Sequence, residues 1–211
     1  MSSMKVWDFW ADKYEKLWVQ KYSLSPTRKG IIKEIKNIVK PGIAYSILDM
    51  GCGTGQLIRD MSQEFKDYDM KYTGVDISSK MLELAKARDS KSTYYNASVD
   101  DFSVKDNYFD IIVCSHSFPY YPHKQSAINK FYTLLKENGH LFLAQASANS
   151  VYDNIAMFFV KFTTGNAKYL SIKNIEALTQ NRFDLQKVHK IKEKYYMPTI
   201  CLFVLKKENR V

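Results

Sequence analysis

Cysteine is scarce in this chain: Cys52, Cys114 and Cys201 are the three present in 211 residues. An odd number at wide spacing gives no disulfide framework, and their apolar or glycine-rich surroundings read as buried free thiols. Cys114 lies near histidines, but no CxxC pair or matching carboxylate accompanies it, so no metal site is expected. Long hydrophobic runs are also missing. None approaches the roughly 20 residues that cross a bilayer. The first ten residues lack a continuous apolar core and include Asp8, unlike a secretory signal. A cytoplasmic protein with no membrane contact is the expectation. Arginine is sparse as well, standing at Arg28, Arg59, Arg88, Arg182 and Arg210, so the net charge of +9 is carried by lysine. The lysines are scattered and often flank acids, as in Lys13-Tyr14-Glu15-Lys16. Readers of phosphates and bases favour clustered arginine. The charge therefore reads as a solvated lysine surface, with a nucleic-acid partner left open but not favoured.

What the chain does contain is ordinary globular composition, 45% hydrophobic and 14% aromatic, enough for one α/β domain. Trp7, Trp10, Tyr14, Leu17 and Trp18 recur at helical spacing, which predicts an amphipathic helix over 5–18. Ser25-Pro26 opens a second helix, ended by Pro41-Gly42. Strands are expected at 46–50, 71–75, 93–95, 109–115 and 140–145, the last opened by Gly139, with helices over 57–65, 79–87 and 124–136 between them. Such alternation implies right-handed crossovers and a parallel sheet. Beyond Ser147 the pattern changes to an aromatic helix over 150–163 and another over 171–180. Two final strands, 183–189 and 195–206, have no helix between them and should pair antiparallel. The expected fold class is thus α/β, a Rossmann-like seven-stranded, mostly parallel sheet with a C-terminal antiparallel hairpin and helices on both faces. One domain spans 1–211, with 1–24 as an N-terminal helical lid and 147–181 as a substrate-side helical insertion.

The strongest local signal is Asp49-Met50-Gly51-Cys52-Gly53-Thr54-Gly55, a strand running into glycines just before a helix. Glycines there let the backbone turn sharply and approach a ligand. The spacing is G-x-G-x-G, without the third glycine of the dinucleotide fingerprint or the lysine of a P-loop. Asp49, just before the first glycine, disfavours pyrophosphate and suits a ligand with an ammonium group. Asp76 ends the second strand about 20 residues on, where a carboxylate accepts ribose hydroxyls. Together the two motifs indicate a nucleoside ligand.

These residues resemble the class I S-adenosylmethionine-dependent methyltransferases, of the methyltransferase domain 11/25 type. Asp49 to Gly55 is similar to that family's glycine motif, Asp76 to its ribose-binding acid and Phe109 to Ser115 to its fourth strand. Leu134 to Leu141 is similar to its turn into the fifth, and the closing hairpin to the one that separates this fold from dinucleotide folds. The resemblance covers roughly 25–205 and implies S-adenosylmethionine as cofactor, with S-adenosylhomocysteine as product. It implies that Gly51, Cys52, Gly53 and Gly55 lie against the methionine part, that Asp49 orients its amino group, and that Ile77 or Met81 packs on adenine. The family's acid for the adenine amino group falls here on Ser98, with Val99 next. Ser115 would meet the methionine ammonium through its carbonyl, and Trp10 and Tyr14 fall in a region that closes over the cofactor.

The sulfonium is an activated methyl donor, so the protein mainly positions the reactants and excludes water. His116 and His123, in the loop after the fourth strand, are candidates to take a proton or orient the acceptor; a structural role is the alternative for each. Tyr120, Tyr121 and Phe158, with Trp18 and Tyr14 above them, either line an apolar acceptor pocket or pack in the core. The leading reading is methyl transfer to a small-molecule acceptor, the reacting atom unresolved, by a monomer or homodimer. An RNA or protein methyltransferase and a non-catalytic S-adenosylmethionine-binding protein are the alternatives.

Overall fold

The structure, a computed structural model, describes residues 3–17, 20–147, 167–194 and 197–208. Seven strands form one sheet in the order β3-β2-β1-β4-β5-β7-β6. These are β1 (Tyr45–Met50), β2 (Met70–Asp76), β3 (Thr93–Asn96), β4 (Phe109–Ser115), β5 (Leu135–Ala146), β6 (Phe183–Ile191) and β7 (Ile200–Lys207). β1 to β5 pair in parallel, whereas β7 runs antiparallel to both β5 and β6. The order reverses between β1 and β4, the place where open α/β sheets leave a crevice at their strand ends.

Both faces of the sheet are covered, so β4 reads as a nearly continuous apolar run. Its side chains alternate between two cores. Phe109, Ile112 and Cys114 pack with Phe131 of α5 (Lys124–Leu134) and Ile175 of α6 (Ile172–Thr179). Ile111 and Val113 pack with Ile31 and Ile35 of α2 (Ser25–Lys36), Ile58 of α3 (Gln56–Glu64) and Leu82 of α4 (Ser79–Arg88). Ser78 caps α4, its hydroxyl accepting from the Met81 N–H at 3.1 Å. No described helix is long and apolar enough to cross a membrane.

Two local expectations are corrected. The helix expected over 5–18 is instead α1 (Ser3–Trp10) followed by a 3-10 segment, Ala11–Lys16, after which Leu17 is extended. Asp12 and Glu15 in that segment are drawn onto the main domain by ion pairs, so tertiary contacts override the helical periodicity. β5 begins at Leu135 rather than after Gly139. Leu135 pairs with Phe109, and a register shift then brings His140 opposite Ile111. That bulge passes Asn138 at φ 61° and leaves no room at Gly139, where a Cβ would lie 2.8 Å from the Lys136 carbonyl oxygen. The expected opening of α2 at Ser25-Pro26 holds, and a π-helical turn, Gln20–Leu24, runs directly into it. The aromatic helix expected over 150–163, and with it much of the 147–181 insertion, lies outside the described residues.

Candidate functional site

β1 ends at Met50 and the chain turns through Gly51, Gly53 and Gly55, all at positive φ (83°, 54° and 72°). The Gly51 and Cys52 N–H groups donate to the Val75 carbonyl at 2.7 and 3.0 Å, tying the turn to β2. Asp76, at the end of β2, accepts from the Gly53 N–H at 2.8 Å through one carboxylate oxygen and from the Ser78 N–H at 2.9 Å through the other. The glycine loop and the second-strand acid are therefore joined directly by a hydrogen bond.

Asp49 is almost fully buried, 2% exposed, and faces a cavity shared with Tyr14, Arg28, Gly51, Gly53 and His116. Among the described residues its carboxylate accepts no hydrogen bond. Burial first, and the like charge of Asp76 second, push its pKa up to about 7, with Arg28 opposing. Burial also raises Asp76, against the backbone N–H groups that favour its ionised form. Two carboxylates held this way leave a deficit of positive charge. Burial, with Asp76 and Asp49 nearby, likewise pushes the Cys52 thiol well up, so it is not a thiolate nucleophile.

Sequence reasoning missed Arg28. It stands on α2, donating through Nε to Asp60 at 2.7 Å and through Nη1 to Gln20 at 3.1 Å and Gln56 at 3.3 Å. Its two Nη2 protons have no partner among the described residues. A buried carboxylate and a guanidinium lining one cavity match the ammonium and carboxylate of an α-amino acid. The residues present therefore fit S-adenosylmethionine at its methionine end, whereas Asp76, expected at the ribose, does not line this cavity and accepts a backbone N–H on each carboxylate oxygen. The one available signal was the rarity of arginine, since Arg28, Arg59 and Arg88 all gather around this loop and the N-terminal segment.

The N-terminal segment is fastened over the site by polar contacts. Asp8 accepts from the Ser78 hydroxyl at 2.5 Å and Asp12 from Lys80 at 2.8 Å. Glu15 accepts from Thr54 at 2.6 Å, from Arg59 at 2.9 Å and from Arg88. Burial works against ionisation of Glu15, but these donors hold its carboxyl below the usual range. Tyr14 sits on the loop, 3.9 Å from where a Gly53 Cβ would be, and burial pushes its phenol well above the usual range. Trp10 is partly buried, while Trp7 packs edge-on to Tyr14 and Tyr120.

The other expected site residues divide. Ser115 and His116 line the cavity with Asp49. His116 is held at φ 61°, its N–H on the Ala144 carbonyl at 2.7 Å, and burial, aided by Arg28, lowers its pKa to about 4. Ile77 is 38% exposed at the end of β2, whereas Met81 is buried on α4. Ser98 exchanges hydrogen bonds with Asp101, and Val99 is buried in the core. Tyr120 lies edge-on to Trp7, with its hydroxyl 3.4 Å from that of Tyr169. Tyr121 donates to the Met50 carbonyl at 3.2 Å, beside Ser117, which donates to the same oxygen at 2.8 Å. That hydroxyl pair ties the loop after β4 to the glycine turn. His123 is exposed at the start of α5 and does not line the cavity. Trp18 and Phe158 lie outside the described residues.

Residues 48–143 match a family model described as a methyltransferase domain. The chain is 25% identical over 176 residues, 75% of its length, to malonyl-acyl-carrier-protein O-methyltransferase of Priestia megaterium. It is 28% identical over 133 residues, 61% of its length, to ubiquinone biosynthesis O-methyltransferase of Vibrio campbellii. The chain spans 63% and 54% of the lengths of these two curated relatives. In fold it is similar to the N-methyltransferase NodS of Bradyrhizobium japonicum, solved with S-adenosyl-L-homocysteine. There the TM-score is 0.77 at 12% identity, over 99% of this chain and all of that one. Residues 48–143 thus match a methyltransferase domain, and the sheet that carries them has the class I, Rossmann-like methyltransferase fold.

Proposed function

We propose that this chain transfers a methyl group from S-adenosylmethionine to a small-molecule acceptor and releases S-adenosylhomocysteine. The observation that carries the reading is the buried Asp49 carboxylate, without a hydrogen bond among the described residues, beside Arg28 at the switch point of the sheet. Bound S-adenosylmethionine supplies a methyl group already activated on a sulfonium and transferred by in-line displacement. The chain's own residues then hold and enclose. Asp49 takes the ammonium, Arg28 the carboxylate and Asp76 the ribose hydroxyls. Asp49 and Asp76 also leave a negative field that favours the positively charged donor over its neutral-sulfur product. Ile77 and Met81 serve adenine, Ser98 sits at its rim, and Tyr120 faces the acceptor.

In this reading residues 1–24 form the lid and 147–181 the acceptor side. The space left among Tyr14, Asp49, Arg28 and His116 is about 50 Å³. Small-molecule sites offer at least roughly 300 Å³. The N-terminal segment must lift to admit the nucleoside, and Glu15, with three donors from the main domain, is its strongest fastening. Glu15→Ala is expected to speed cofactor dissociation by about 3- to 10-fold, the loss of a partly exposed ion-pair network worth about 1 kcal/mol. Stopped-flow displacement measures it, and an unchanged rate removes the segment from the gating role.

Asp76→Ala is expected to weaken cofactor binding by about 1–3 kcal/mol, the range for losing a charged hydrogen-bond partner. Calorimetry reads the dissociation constant, and an unaltered value contradicts the ribose assignment. The reaction itself is tested by mass-spectrometric detection of S-adenosylhomocysteine with catechol, histamine and a malonyl thioester as probes, and total RNA in parallel. Turnover on one of the small probes is the expected result. Turnover on RNA alone, with a steep dependence on salt, would overturn the acceptor class.

A further inference from the structure

Thr27 is fully buried on α2, and its hydroxyl makes two contacts. Oγ1 lies 2.7 Å from the Ser23 carbonyl oxygen and 3.0 Å from His116 Nε2. A carbonyl oxygen can only accept, and a threonine hydroxyl has one proton. At 2.7 Å that proton must point at Ser23. What remains at Oγ1 toward His116 is a lone pair, so His116 Nε2 carries a hydrogen and donates it. In a neutral imidazole the other nitrogen, Nδ1, is then the acceptor. Nδ1 has no hydrogen-bond partner among the described residues and keeps access to solvent, on a ring that lines the cavity with Asp49.

We propose that Thr27 is a positioning residue that fixes His116 as its Nε2–H tautomer and so presents Nδ1 to the methyl acceptor, where it accepts a hydrogen bond from the acceptor's O–H or N–H. This rests on the methyl-transfer reading for the identity of the partner, but the tautomer follows from the three hydrogen-bonding groups alone. The low proton affinity of His116 keeps the ring neutral throughout the physiological range, so one tautomer is available at all times. It also makes His116 an orienting acceptor that aims a lone pair of the acceptor rather than a group that stores its proton. The left-handed backbone at His116, φ 61°, is compatible with this role, since the chain holds a side chain there in a conformation that L residues rarely adopt. Ser23 belongs to the π-helical turn that precedes α2, so the tautomer is set from the segment that carries the lid.

The test compares Thr27→Val, which keeps the shape and removes the hydroxyl, with Thr27→Ser, which keeps the hydroxyl. Imidazole ¹⁵N spectra of the whole chain, without acceptor, should show Nε2 protonated in the parent and in Thr27→Ser, and a mixed or reversed tautomer in Thr27→Val. With whichever small probe is methylated, Thr27→Val should lower kcat by roughly 10-fold, the effect of losing about one well-oriented hydrogen bond, while the cofactor dissociation constant stays within 2-fold, roughly RT ln 2 or 0.4 kcal/mol. Thr27→Ser should restore kcat. A parent spectrum with Nδ1 protonated, or a single Nε2–H tautomer retained in Thr27→Val, overturns the proposal. A shifted tautomer with undiminished kcat overturns its link to transfer. Absence of turnover by the parent on every probe is instead a failure of the methyl-transfer reading, and the spectra still decide the tautomer because they need no acceptor.

Discussion

Asp49→Asn should weaken S-adenosylmethionine binding by about 10²- to 10³-fold at pH 8, or about 3–4 kcal/mol, the range for removing one member of a buried charge pair. The neighbouring amide keeps the shape of the carboxyl and loses its charge, so the effect isolates electrostatics. Its pH dependence is fixed by the raised pKa of about 7. A cation beside Asp49 favours the ionised form, so binding expels a proton wherever the free protein still holds one, below pH 7. Parent affinity should thus be level above pH 7 and fall as pH drops below it, by at most about tenfold per unit for one proton. The Asn variant should show no such slope. Stability has the opposite sign. The unfolded carboxyl ionises near its ordinary value of 3.8 and the folded one near 7, so the ligand-free fold loses stability as pH rises between those values and is level above. Asp49→Asn should therefore raise the melting temperature of ligand-free protein at pH 8 and leave it nearly unchanged at pH 4. Titration calorimetry and thermal melts at both ends of the range check the two signs together.

Gly51→Ala should destabilise the fold by about 2–5 kcal/mol, the sum of a left-handed backbone cost near 1–2 kcal/mol and overpacking of about 1–3 kcal/mol. Gly51 is at φ 83°, and a Cβ there would lie 2.3 Å from the Ser117 Cβ and 2.4 Å from its Oγ. Ser117 cannot retreat freely, because its hydroxyl holds the Met50 carbonyl and contacts Cys114 and Tyr121. Gly53→Ala separates the two causes. It has φ 54°, but the nearest atom to its Cβ is Tyr14 Cε1 at 3.9 Å, so about 1–2 kcal/mol is expected there from the backbone alone. Urea unfolding of both variants, and of Gly51→Ala combined with Ser117→Gly, should show the clash relieved in the double variant. Equal losses for the two alanines would show that the turn, and not the close approach of the β4 loop, requires glycine.

The sheet was legible in the chain because its strands are short, apolar and punctuated. β4 coincides with the expected Phe109 to Ser115, and Ser78 caps α4 through its own hydroxyl. The switch-point carboxylates were legible too, since Asp49 and Asp76 each follow a strand pattern. What escaped was brought in from outside that local grammar. Thr27 and Arg28 are unremarkable residues of α2, and nothing in their neighbours reveals that packing of that helix on β1 and β4 delivers them to the loop. Glu15 hid in a helical pattern that its own ion pairs break. Tyr121 illustrates the converse: an aromatic read as either pocket lining or core spends its hydroxyl on the Met50 carbonyl. The start of β5 was missed because its first residue, Leu135, is separated from the regular ladder by a bulge whose reason lies on β4.

The whole account depends on a sulfonium nucleoside held by its amino-acid end at Asp49 and Arg28. Isothermal titration of S-adenosylmethionine into the parent and into Asp49→Asn at pH 8 addresses that directly. Saturable binding at one site per chain, lost or sharply weakened in the variant, is the expected result. No heat from the folded parent at millimolar ligand, or equal affinity in both proteins, would contradict it.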